Sequence, residues 1–269
     1  MLRNSCIRGA RASIGTAWLA LWMGACTSAP ADDSAQSSAL SENALTANAL
    51  TANALTANAL TANALTANAL TANALTANAL TANALRDPLS RELLKYVVSC
   101  ALDDGDSLTV KIDGRWYEFD GSLGLAPAWG RSHGSCDGEC QRWVSACVLA
   151  RVDAQGVKRE ISVRGDNHVL HPSHDEVRNY TLREGAYFGN LFVEGQPRFL
   201  CLAPGQSGDQ RVCGPDLADC PMTVEGSCAL DCAIDGKYGA FENCSDAGRS
   251  WRGHVYEEVI TVFLPGSAM

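Results

Sequence analysis

The sequence predicts an α+β domain, a small antiparallel sheet with two helices, rich in disulfides and preceded by a low-complexity pentapeptide repeat. Three observations predict it. TANAL recurs eight times without a change from Thr46 to Leu85, after a near-copy at Ser41–Leu45. Ten of the twelve cysteines follow that array. Beyond it, helical and strand-like periodicities alternate irregularly, which disfavours a parallel βαβ sheet.

The chain divides into four stretches. Residues 1–25 read as a signal peptide. Arg3, Arg8 and Arg11 supply a positive segment, and Ile14–Ala25 is an apolar run of twelve residues, a length that suits export and is short for a membrane span. Met23-Gly24-Ala25-Cys26 resembles a lipobox, with small residues before a cysteine whose thiol would carry a diacylglycerol. The alternative is ordinary cleavage near Ala29 or Ala31 and a secreted product. Thr27 after the cysteine, by resemblance to diderm lipoproteins, points to the outer membrane of the cell envelope. Residues 26–40, rich in Ser, Ala and Asp, read as a flexible tether.

The array at residues 41–85 has a period of five. On a helix, successive leucines would sit about 140° apart and make no stripe. On a strand, an odd period sends them to opposite faces. A weak helix or spacer is one reading; a short β-solenoid is the other, although Ala49 would then take the inward place and underfill the coil. The array would span roughly 35–40 Å as a coil or about 68 Å as a helix.

Residues 86–269 form the cysteine-rich domain, long enough for one ordinary core. Asp87-Pro88 is a helix start, with Asp at the N-cap and Pro at N1. Leu89, Leu93, Tyr96, Val97, Cys100 and Ala101 follow at helical spacing. Leu108–Ile112 and Arg115–Phe119 alternate as strands around Asp113-Gly114, a hairpin signal. A second helix is expected over 141–152, then strands over 157–163, 187–193, 198–202 and 258–264. Residues 204–252 show little periodicity.

The ten cysteines of the domain are Cys100, Cys136, Cys140, Cys147, Cys201, Cys213, Cys220, Cys228, Cys232 and Cys244. An even number in an exported chain reads as five disulfides. Cys100 with Cys147 is the favoured pair, because each lies on the apolar face of a helix. The last five or six are expected to staple the irregular tail. Cys136-x3-Cys140 beside His133, and Cys228-x3-Cys232, are alternative metal ligands with spacing unlike CxxC.

Without its first 25 residues the chain has 18 basic and 30 acidic residues. That balance disfavours nucleic acid as a partner and charge-driven binding to anionic lipid. The membrane is expected as a partner only through the lipid, alongside an envelope or extracellular partner of unknown kind. No cofactor is expected. The densest titratable cluster is His168, His171 and His174 with Asp166, Asp175 and Glu176, which would suit a divalent metal, although Pro172 interrupts any helix there. The bland reading is a solvated loop. His254 with Glu257 and Glu258 is a further acid–base candidate at the start of a strand. Trp116, Tyr117 and Trp129 would make either a sugar-stacking platform or core and hairpin residues. An HExxH motif is absent from the sequence.

Four segments, Leu94–Leu102, Gly124–Trp129, Val144–Ala150 and Glu184–Phe192, resemble a family of exported proteins from large-genome soil bacteria. Its members often carry short Asn- and Leu-containing repeats before a cysteine-rich domain. The resemblance covers about Asp87 to Cys244. The family has no assigned activity, so the resemblance implies a domain boundary and a pairing of repeat with domain, and no catalytic residue. Two functions stay open: a lipid-anchored, non-enzymatic binding or structural module, and an extracytoplasmic hydrolase or metal-dependent enzyme.

Overall fold

The computed structural model describes residues 49–52, 84–131, 133–206, 211–215, 217–249 and 253–266. The expected signal peptide, Cys26, the tether and most of the repeat lie outside the described residues. Within them the fold is α+β, with four helices, one principal sheet and three two-stranded ribbons.

Helix α1 (Pro88–Ala101) begins where Asp87 accepts a hydrogen bond from the Leu89 amide, one of the donors a helix start leaves without an intrahelical partner. The hairpin β2 (Ser107–Ile112) and β3 (Arg115–Asp120) turns at Asp113 and Gly114, with φ of 47° and 83°. Two consecutive positive φ angles make the type I′ turn that matches strand twist. Helix α2 (Gly138–Ala150) starts a turn before its expected first residue, because the Asp137 carboxylate accepts from the Cys140 amide. The Cys100–Cys147 disulfide ties α1 to α2.

The six-stranded sheet has the order β1-β4-β12-β5-β6-β7. Its strands are β1 (Ala49–Ala52), β4 (Arg159–Arg164), β5 (Leu182–Gly189), β6 (Arg198–Leu202), β7 (Thr223–Ser227) and β12 (Ile260–Leu264). All neighbours run antiparallel except β6 and β7, which are parallel. The all-antiparallel expectation is corrected there: the chain from 203 to 222 crosses back, so β7 lies alongside β6 instead of hairpinning with it. The strand expected over 187–193 is also shifted. Pairing of Gly189 with Arg198 ends β5, and Asn190 bonds Pro197 by its amide to close the connection.

Four residues of the repeat, Ala49–Ala52, pair with β4 as β1. These four residues straddle two successive units, and there an added edge strand stands in place of the helix expectation. The physical reason is the row of backbone donors and acceptors that any sheet edge presents. The sheet therefore crosses the boundary drawn at Arg86.

Two cores sandwich the sheet. On one face Ile161, Val163, Tyr187, Leu200, Ile260 and Val262 join the buried faces of α1 and α2. On the other, Ala186, Phe188, Phe241, Tyr256 and Val259 pack with Cys201, Cys228 and Cys244. This second layer comes from the irregular tail, with helix α4 (Cys228–Asp231) and the short strands β8 (Ala233–Ile234), β9 (Phe241–Glu242), β10 (Cys244–Arg249) and β11 (Val255–Tyr256). The Cys201–Cys228 and Cys232–Cys244 bridges hold that layer, Cys213–Cys220 packs with the first core, and Cys136–Cys140 closes the turn at the start of α2. Five disulfides mark a domain of an oxidising, extracytoplasmic compartment. Among the described residues, no helix is long and apolar enough to cross a membrane.

A buried ion pair joins the first core to the loop after β6. Arg211 Nε and Nη2 donate to the two oxygens of Glu184, at 2.7 and 2.5 Å. Nη1 donates to the Ala150 and Val152 carbonyls, and Nη2 to the Tyr187 hydroxyl. Two of those acceptors lie at and just past the end of α2, where helical carbonyls lack intrahelical donors. Arg151 is the contrasting case. It is 3% exposed, donates to Ser99 at 2.8 Å, and has no hydrogen-bond acceptor at Nε or Nη2. Burial lowers it to about 10, so it stays a cation at neutral pH.

Candidate functional site

Two clefts meet at the end of β4 and share Asp166. Gly165 starts the segment; a Cβ there would lie 2.6 Å from the Val259 carbonyl and 3.1 Å from Leu170, so the backbone passes too close for a side chain. Asn167 then accepts from the Val169 amide and caps a single 3-10 turn, His168–Leu170. Leu170 is fully buried and pins that turn to the core. Ser173 and Glu176 form a capping box that starts the six-residue helix α3 (His174–Asn179). Pro172 falls between the two helical pieces.

The larger cleft, about 370 Å³, is lined by Glu139, Trp143, Asp166, His168, Glu257 and Glu258, with Asn167 at its edge. Glu258 is 4% exposed and receives both Nε and Nη2 of Arg142, at 2.6 and 2.7 Å. Its charge is balanced, and the strong bond to Glu258 raises the Arg142 guanidinium further above its ordinary range. The other three acids are exposed, so the cleft is an open, acidic depression with an aromatic wall.

The smaller cleft, about 210 Å³, lies on the other side of Asp166, between His171 and the tail residues Asp235, Lys237, Tyr238 and Glu242. The His171 and Tyr238 rings lie 5.1 Å apart, and Lys237 Nζ sits 4.5 Å from the Tyr238 ring centre. Asp235 accepts from the Lys237 and Tyr238 amides, which commits its carboxylate to shaping the turn.

The structure thus distributes the three histidines that were candidate metal ligands. His168 faces the larger cleft and His171 the smaller, while His174 is the first residue of α3. Among the described residues, the one group of three ligand atoms close enough to share an ion is Cys201, Cys228 and Cys232, and all three are in disulfides. Cys136 and Cys140 are bonded to each other, which corrects their reading as metal ligands beside His133. We expect oxidised protein, after dialysis against a chelator, to retain less than a tenth of an equivalent of zinc by elemental analysis. His168→Ala with His171→Ala should leave that content unchanged; stoichiometric metal lost in the double variant would reverse the assignment.

The other candidates also separate. His254 precedes β11 and packs edge-on against Tyr256 at 4.5 Å, whereas Glu257 and Glu258 turn to the larger cleft. Trp129 is fully buried against Phe192, and Trp116 is 65% exposed on the hairpin. Those aromatics do not form one platform. Sequence reasoning missed Glu139 and Trp143 as cleft residues, since Glu139 lies before the expected helix start and Trp143 on its apolar face. The Asn167 cap was the local signal that His168 sits on its own turn. Comparison with protein families, with curated proteins and with solved structures finds no match for this chain.

Proposed function

We propose that this chain is a lipid-anchored envelope protein whose folded domain acts as a non-enzymatic binding or structural module. The observation that carries the reading is the combination of a lipobox-like Met23–Cys26 with a domain held by five disulfides. The first would place the protein on a membrane, by its second residue on the outer one, and the second suits the oxidising side of it. The repeat then serves as the stalk between lipid and domain, with four of its residues, Ala49–Ala52, seated on the sheet. Open, shallow acidic clefts fit a partner's cationic surface better than a small molecule, which favours deep and mostly apolar sites.

Radiolabelled palmitate should enter the wild-type protein in a diderm bacterial host and be absent from Cys26→Ala, which should move to the soluble fraction. Label persisting in Cys26→Ala would end the anchor reading. A second reading, an extracytoplasmic hydrolase, draws on His168 beside Asp166 and Glu257 in one cleft. Hydrolysis of envelope polymers by the purified domain, abolished by His168→Ala with its melting temperature unchanged, would favour it instead.

A further inference from the structure

Two of the five disulfides touch. Cys201 is bonded to Cys228 and Cys232 to Cys244, yet Cys201 Sγ lies only 3.5 Å from Cys232 Sγ. The sulfurs of Cys201, Cys228 and Cys232 all fall within 4.8 Å of one another. The local fold explains the crowding. Cys228 opens α4, and the Cys232 amide donates to the Cys228 carbonyl at 2.9 Å, so the two cysteines are one helical turn apart on one face. That face lies against Cys201 in β6. The four sulfurs also differ in access. Cys201, Cys228 and Cys244 are buried, and Cys232 is half-buried.

From this geometry we propose that the two bridges form one thiol–disulfide exchange site, entered at Cys232 by a dithiol, either a small molecule or a partner bearing a CxxC pair. The electrons and protons balance as follows. A thiolate of the dithiol attacks Cys232 Sγ, the Cys232–Cys244 bond breaks, and Cys244 leaves as a thiolate that takes up a proton. The second thiol of the dithiol, losing its proton, attacks its own sulfur in the mixed disulfide and is oxidised with it, which releases Cys232 as a thiolate. Cys232 Sγ, freed from Cys244, then turns to the side of Cys201 Sγ opposite Cys228 and attacks it, starting from the 3.5 Å contact. A Cys201–Cys232 bond forms as the Cys201–Cys228 bond breaks, and Cys228 takes the proton. The dithiol has delivered two electrons, and the protein holds one new bridge and two thiols, Cys228 and Cys244. Exchange requires an attacking thiolate with access to a disulfide sulfur, and this cluster supplies the contact within the fold. Among the described residues, no other three cysteine sulfurs lie within 4.8 Å of one another.

The test uses the full-length oxidised chain. Limiting dithiothreitol is added at mildly alkaline pH, thiols are trapped with an alkylating reagent, and bridges are mapped by mass spectrometry. The expected first product carries alkyl groups on Cys228 and Cys244 and a Cys201–Cys232 bridge. It should form at least tenfold faster than thiols appear at the buried Cys100–Cys147 pair. Alkylation confined to Cys232 and Cys244 with Cys201–Cys228 intact would overturn the proposal, as would equal reduction rates at all bridges. Cys244→Ser provides an independent readout without reductant, because it leaves Cys232 as a thiol beside the intact bond. The exchange site predicts free thiol at Cys228 in a substantial share of molecules; thiol found at Cys232 alone would overturn it.

Discussion

Arg211→Met is expected to lower the free energy of unfolding by about 3–5 kcal/mol, the usual cost of removing one partner of a buried ion pair. Glu184, 1% exposed, would be left as an uncompensated carboxylate inside the core. The Ala150 and Val152 carbonyls would lose their donor as well. The remainder of the pair matters more than the lost attraction, because the pair's own Coulomb gain is largely offset by desolvation of both ions. Arg211→Met with Glu184→Met should therefore recover most of the loss. Urea denaturation of the two variants decides it: if the double variant is no more stable than the single one, the uncompensated charge is not the cause. Domains are stable by only about 5–15 kcal/mol, so a loss of this size is a large fraction of the total.

Replacing Cys100 and Cys147 together by Ala should cost about 4 kcal/mol, the loop-closure entropy for a span of this length. The bridge joins residues 47 apart and ties α1 to α2. The Cys136–Cys140 bridge spans four residues, and its removal should cost about 2 kcal/mol on the same argument. Denaturation midpoints of the two double variants would show the order, and a larger loss at Cys136–Cys140 would mean that constraint of the unfolded chain does not set these stabilities.

How much of the fold was legible depended on the range over which each element is decided. Helix α1 was readable because its cap, its proline and its apolar spacing all lie within 15 residues. The hairpin was readable because a type I′ turn needs two positive φ angles, which Asp-Gly tolerates. Strand β5 was misplaced by several residues because it is central and buried on both faces. Such a strand shows no alternation to mark its ends. The parallel pairing of β6 and β7 left no local trace, since it depends on where a cysteine-closed crossover returns.

The candidate site was legible only in part. His168, His171 and His174 stood three apart in the sequence, which suggested convergence. Asn167 and Ser173 each start a separate helical turn, and the rings part company. Glu257 was noticed beside His254, but the chain turns it toward His168. Arg211 lies in a Gly- and Asp-rich stretch of little periodicity, and nothing near it in the sequence announced Glu184.

The sequence by itself determined the α+β class, the start of the first helix, the hairpin turn and the commitment of ten cysteines to disulfides. Each follows from backbone preference, periodicity or redox chemistry acting over short distances. Tertiary structure alone decided the strand order, the docking of four repeat residues on the β4 edge, the split of the histidines between two clefts, the buried Arg211–Glu184 pair and the contact between two disulfides. Those features join residues from distant parts of the chain, and their energies come from burial and pairing that exist only once the whole domain has closed around them.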